Sequence, residues 1–180
     1  MLKIINDRNP RLRARSLPVN IPLSAEDEAL AYAMLEHLKQ SQDEEFAQKH
    51  HLQSGVGLAA PQVDVLKRII VIYYPTDNDQ IVERALANPR IIASSVRECY
   101  LSGGEGCLSV PEPHPGRIYR PWKVTVEAYD ILEKKLITLV LRGYDAIVIQ
   151  HEIDHLNGVL YYNHIDPTRA LEDDPSVVVI

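Results

Sequence analysis

At 180 residues the chain is long enough for one domain with a sizeable core and too short for two comfortable ones. A hydrophobic share of 46% and a charged share of 24% exclude the disordered and fibrous classes, and a formal net charge of -6 argues against a face built for nucleic-acid phosphates. No apolar run is long enough to cross a bilayer and MLKIINDRNP lacks the apolar core of a signal peptide, so a cytoplasmic protein that binds neither membrane nor nucleic acid is expected.

Taken in chain order, Ser24 followed by Asp27 marks a helix start, and Leu30, Met34 and Leu38 recur on one face through about Gln42. Asp43 to Leu52 reads as a second short helical piece, interrupted by Gly55 and Gly57. Lys67 to Pro75 is β-branched and aromatic, as in a well-buried strand, and ALANPRIIASS continues a strand pattern around Pro89. From Trp122 polar and apolar residues alternate, with Val124, Val126 and Ala128 on one face, and KKLITLVLRG pairs back as a hairpin. Gly143 then breaks the strand, Asp145 can cap, and Gly158 stands where a helix should stop, giving a helix over Ala146 to Asn157. Local propensity there favours a strand, because Ile147, Val148, Ile149 and Ile153 are β-branched; apolar residues nearly all round favour a helix buried in the core. The acidic LEDD tail ends in SVVVI, a candidate terminal strand. The expected fold is one α+β domain over residues 1–180, with antiparallel and mixed sheets packed around that buried central helix.

The helix carries His-Glu-Ile-Asp-His. Four residues apart, His151 and His155 share a face and can reach one ion, while Glu152 stands beside the ion without binding it. A third ligand decides the chemistry. One zinc-peptidase pattern places a histidine where Tyr161 stands, and another needs a later carboxylate, for which Glu172 is the candidate. The better candidate is Cys107, in GGEGCLSVPE, which would complete a tripod with a fourth position open for water. Cys99 could instead close the set into a structural zinc site, in a noncatalytic module with no use for Glu152 or Gln62; its strand-like surroundings favour packing.

Three separated segments, GVGLAAPQ (Gly55 to Gln62), EGCLS (Glu105 to Ser109) and HEIDH, resemble the peptide deformylases, and weaker similarity covers most of the chain. The stretch between Ser24 and Ser54 resembles the insertion-bearing type common in Gram-positive bacteria. The resemblance implies hydrolysis of the N-formyl group of formylmethionine on nascent polypeptides, with transient proximity to the ribosome in a bacterial cytoplasm. It implies one divalent metal ion on Cys107, His151 and His155, Fe²⁺ in the cell, with Ni²⁺, Co²⁺ or Zn²⁺ able to replace it. Glu152 would move protons, and Gln62 with the Leu108 backbone N–H would hold the oxyanion. Gly57 would lie on an edge along which a peptide pairs. Val56, Ile147 and Val148 would line a pocket for the methionine side chain; by residue type alone they read equally as core. Two positions depart from the family pattern: Pro111 with Glu112, and Asn163 where many members carry an acid.

Overall fold

The computed structural model describes residues 2–76, 78–166, 168 and 175–180. In chain order the elements are α1 (Ala25–Gln42), α2 (Glu44–His50), β1 (Gly57–Ala59), β2 (Ile69–Pro75), β3 (Ile81–Ser94), β4 (Glu98–Tyr100), β5 (Arg120–Pro121), β6 (Lys123–Asp130), β7 (Lys135–Arg142), α3 (Tyr144–Leu156) and β8 (Val178–Val179). Five strands form an antiparallel sheet in the order β1-β2-β3-β6-β7, and β5-β4-β8 form a smaller mixed one, so the architecture is the expected α+β.

The large sheet is covered on both faces, which explains why β2 reads as a continuous apolar run. Ile70, Ile72 and Tyr74 point into a core shared with Val148, Ile149, Ile153 and Leu156 of α3. The alternate residues Ile69 and Val71 meet Ala31, Met34, Leu35 and Leu38 of α1 on the other face. Ser24 caps α1, its Oγ accepting from the Asp27 N–H at 3.1 Å, and Asp43 caps α2 in the same way. The hairpin β6–β7 forms in the register Val124↔Leu141, and Val124, Val126 and Ala128 are buried as the alternation requires. Pro89, which has no N–H to give a ladder, sits where the pairing of β3 with β6 shifts register. The terminal SVVVI contributes β8, parallel to β4. Glu172, one candidate carboxylate, lies outside the described residues.

Over α3 the helix prevails against the local preference for a strand. It lies between the large sheet and β5, where the Gln150 amide donates to the Pro121 carbonyl at 3.1 Å, and burial on all sides outweighs the few tenths of a kcal/mol each β-branched residue costs. Its start differs from the expected one. Gly143, not Asp145, occupies the cap position, and the helix begins at Tyr144. Asp145 lies inside the first turn, its carboxylate accepting from the Tyr74 hydroxyl across the sheet, so its capping role is taken over by a tertiary bond.

Candidate functional site

The interior face of α3 presents His151 and His155 one turn apart, and the loop after β4 brings Cys107 against them. Cys107 Sγ stands 3.2 Å from His155 Nε2, and one ligand atom from each of the three residues falls within 4.8 Å of the others. Two donors of one tetrahedral ion stand roughly 3.6 Å apart at ordinary bond lengths, so the set fits a divalent metal. One sulfur and two imidazole nitrogens suit iron, cobalt, nickel or zinc rather than calcium or magnesium. Cys99 is not part of this group; it is buried in β4, where burial pushes its thiol up to about 11.

Glu152 is buried beside this group, and burial first of all raises its pKa to about 7. Its Oε2 has no hydrogen-bond partner among the described residues. Gly57 of β1 lies directly over the carboxylate: a Cβ at that position would come within 2.2 Å of Glu152 Oε1, which only glycine avoids. Gln62 is equally buried, and its amide is oriented from both ends. Its Oε1 accepts from the Ala59 N–H at 2.8 Å, while Nε2 donates to Ser109 Oγ at 3.2 Å and points at Cys107 Sγ. Val56, Gly57, Gln62, Cys107, Leu108, Ile147, Val148, His151 and Glu152 all line one cleft of about 310 Å³. His155 is not among its lining residues and backs the thiol from inside. Leu101 and Tyr144 also line the cleft, without any signal in their own segments to announce it.

The sequence reading assigned no role to the groups that fix these ligands. His151 Nδ1 meets Glu105 Oε2 at 2.8 Å, and Arg120, on β5, donates to the same oxygen at 2.9 Å. Burial alone would raise the Glu105 carboxyl; the bonds from His151 and Arg120 reverse that and hold it at about 2. An ionised Glu105 only accepts, so His151 donates to it through Nδ1 and leaves Nε2 as the atom on which a metal ion would take the place of a proton. Arg120 Nη1 also donates to Asp154 Oδ2 at 2.9 Å, and the Ser109 N–H reaches Cys107 Sγ at 3.4 Å. The two imidazoles are driven apart. Burial opposes charge on both, but the contacts of His151 with Cys107 and Glu105 favour its protonated form, whereas His155 is lowered by burial and by its neighbour. Asn163 accepts from Arg13 at 2.6 Å and from the Leu160 N–H at 3.0 Å, so a neutral side chain ties the turn after α3.

The comparisons converge. The model of the family described as polypeptide deformylase matches residues 1–170. A peptide deformylase of Staphylococcus epidermidis is 46% identical across 100% of this chain and 98% of its own length. One from Listeria monocytogenes serotype 4b is 47% identical over 98% of this chain and 96% of its own. Among solved structures, a probable peptide deformylase from Synechococcus phage S-SSM7 superposes with a TM-score of 0.74 at 32% identity, over 92% of this chain and 100% of that one. A Met-Ala-Ser-bound peptide deformylase from Acinetobacter baumannii gives 0.72 at 30% identity, over 92% and 98%.

Proposed function

The chain belongs to the polypeptide deformylase family and is a hydrolase that removes the formyl group from N-formylmethionine peptides, and from that premise we propose how its residues divide the work. Residues 1–180 act as one catalytic domain. Cys107, His151 and His155 hold one divalent ion, Fe²⁺ in the cell, with Ni²⁺, Co²⁺ or Zn²⁺ able to take its place. Such an ion supplies Lewis-acid polarisation and brings the pKa of water toward neutrality. Glu152 Oε2 takes the proton of the attacking water as the new C–O bond forms, then passes it to the departing amine nitrogen as the C–N bond breaks. Burial raises its pKa, which suits it to take up a proton. Gln62 Nε2 and the Leu108 N–H donate to the oxyanion of the tetrahedral carbon.

The peptide lies along the edge of β1, which pairs only with β2 among the described residues, and the methionine side chain enters between Val56, Ile147 and Val148. No helix among the described residues is long and apolar enough to cross a membrane, and the substrate is a nascent chain. A nascent-chain substrate supports a place in the bacterial cytoplasm, with transient proximity to the ribosome.

One observation carries this reading: a buried carboxylate with a bare oxygen stands in one cleft beside the Cys107 sulfur and the His151 imidazole, with the His155 imidazole against the sulfur from inside. The test compares kcat/KM for formyl-Met-Ala-Ser and acetyl-Met-Ala-Ser. An added methyl in a yielding pocket costs about 1–3 kcal/mol, or roughly 10–200-fold, and with Gly57 packed down on Glu152 a larger ratio is expected. Comparable values for the two peptides would sink the assignment.

A further inference from the structure

The hydrogen bonds around Glu105 do not stop at Arg120. Arg120 Nη1 donates to Asp154 Oδ2 at 2.9 Å, and the same oxygen meets His164 Nε2 at 2.7 Å. Beginning at His151 Nδ1, the chain runs through Glu105, Arg120 and Asp154 to His164. Imidazole or guanidinium alternates with carboxylate at every link, and each carboxylate shares one oxygen between two donors. The Glu105 and Arg120 side chains are 3% and 4% exposed, Asp154 19%, and His164 37%, so the array leads from the cleft to the surface and His164 closes it.

We propose that His164 is a positioning residue for the active site: through Asp154, Arg120 and Glu105 it fixes the ring orientation of His151. This rests on the reading of His151 as a metal ligand. Three features support it. Arg120 is shared by two carboxylates, so its guanidinium plane is set by where both of them sit; Asp154 is in turn set by His164, its partner from the turn after α3. Asp154 is one residue before His155 on α3, and its partly exposed carboxylate bridges the buried Arg120 to His164. The turn Tyr161–His164 is fastened independently, by Asn163 to Arg13 and to the Leu160 N–H and by the Tyr162 ring stacked on His114 at 4.1 Å. His164 is therefore not needed to hold the turn in place, and its bond to Asp154 serves the array.

The test replaces His164 by Leu, which removes the donor, and by Gln, whose Nε2 can stand in for the imidazole Nε2. Removing a direct second partner of a metal-binding histidine typically costs 10–100-fold in metal affinity; His164 acts through three intervening groups, so about three- to tenfold is expected. Cobalt-loaded parent, His164→Leu and His164→Gln are compared by the rate of metal release to a chelator, by the visible cobalt spectrum, and by kcat and KM separately. The inference requires faster release, an altered spectrum and a lower kcat with KM little changed for His164→Leu, and recovery to within about twofold of the parent for His164→Gln. Parental release and spectrum in His164→Leu, even with a lowered Tm, would show that the contact merely fastens the turn, and would overturn the inference. Where His164→Leu yields no folded protein, His164→Gln and His164→Asn make the same comparison, because the shorter amide does not span the gap; equal release by both overturns it. A parent that binds no cobalt would instead overturn the reading of His151 as a ligand.

Discussion

The helices α1 and α3 lie on opposite faces of one sheet and share the strand β2, yet they are built on opposite principles. α1 is an 18-residue amphipathic helix, capped by a serine, with an apolar stripe against the sheet; of the polar groups it buries, Asp27 pairs with Lys67 and Ser41 donates to the Leu38 carbonyl, and only the His37 Nδ1 lacks a partner among the described residues. α3 is shorter, lacks a side-chain cap, and buries Gln150, Glu152 and His155 together with its isoleucines and valines. Burying such groups costs free energy unless they are bonded, and α3 leaves Glu152 Oε2 and His155 Nδ1 without partners among the described residues. α3 thus concentrates its buried unpaired groups at and behind the cleft, whereas no residue of α1 lines it. This contrast predicts where activity and stability separate.

The sharpest break is Glu152→Gln. The amide keeps the volume under Gly57 but cannot take a proton, so deformylation should fall by about 10²–10⁴-fold or more while bound metal stays near one per chain. Activity within tenfold of the parent would show that Glu152 is not the proton carrier. Thermal stability should hold or rise, because a carboxylate with a bare oxygen is replaced by a neutral group.

Next comes Arg120→Ala, a substitution of a residue that touches no substrate. Leaving Glu105 and Asp154 buried without their shared cation should cost about 3–5 kcal/mol of stability. Metal affinity should also fall, by about 10–100-fold, because the orientation of His151 relaxes. Isothermal titration with nickel and a thermal melt on the same sample check both; a loss of stability with unchanged nickel affinity would confine Arg120 to a structural role.

These residues show what the sequence could and could not disclose. His151 and His155 were legible because helical spacing alone puts them on one face with Glu152 beside it, and Cys107 because glycines on its approach let backbone come close. The start and inward apolar stripe of α1 were legible for the same local reason. Arg120 was not, since nothing in RIYRPW distinguishes it; it acquires its role when β5 pairs with β4 and carries it beneath α3. Asp145 was misread as a cap because Tyr74, far away in sequence, claims its carboxylate once β2 and α3 pack. The helical state of α3 was decided by its surroundings, against its own propensity.

On the opposite face, Leu38→Ala should do the reverse of Glu152→Gln. Leu38 is fully buried against β2, so its truncation should cost about 2–5 kcal/mol of stability. The kcat/KM per folded molecule should stay within about twofold of the parent, measured well below the lowered Tm. A large loss of kcat at that temperature would mean that α1 is coupled to the site through β2 and that the division between the faces is wrong.

The smallest effect separates the two cysteines. Burial, foremost, pushes the Cys99 thiol from about 9 up to about 11, against the nearby Arg120, which lowers it. The sign follows from that direction. Below pH 9 the thiol is neutral in both the folded and unfolded chains, and its contribution to stability is complete; above it, only the unfolded chain ionises. Stability is then lost progressively until the folded thiol also titrates near 11. The fall in Tm between pH 9 and 11 should therefore be shallower by a few degrees in Cys99→Ala than in the parent, after subtraction of their offset at pH 8. Iodoacetamide should leave Cys99 unmodified in the folded nickel form at pH 8, since the thiolate is the nucleophile and little of it exists there. Rapid alkylation of Cys99 under those conditions would mean that β4 opens to solvent and that the small sheet is a looser neighbour of α3 than the large one.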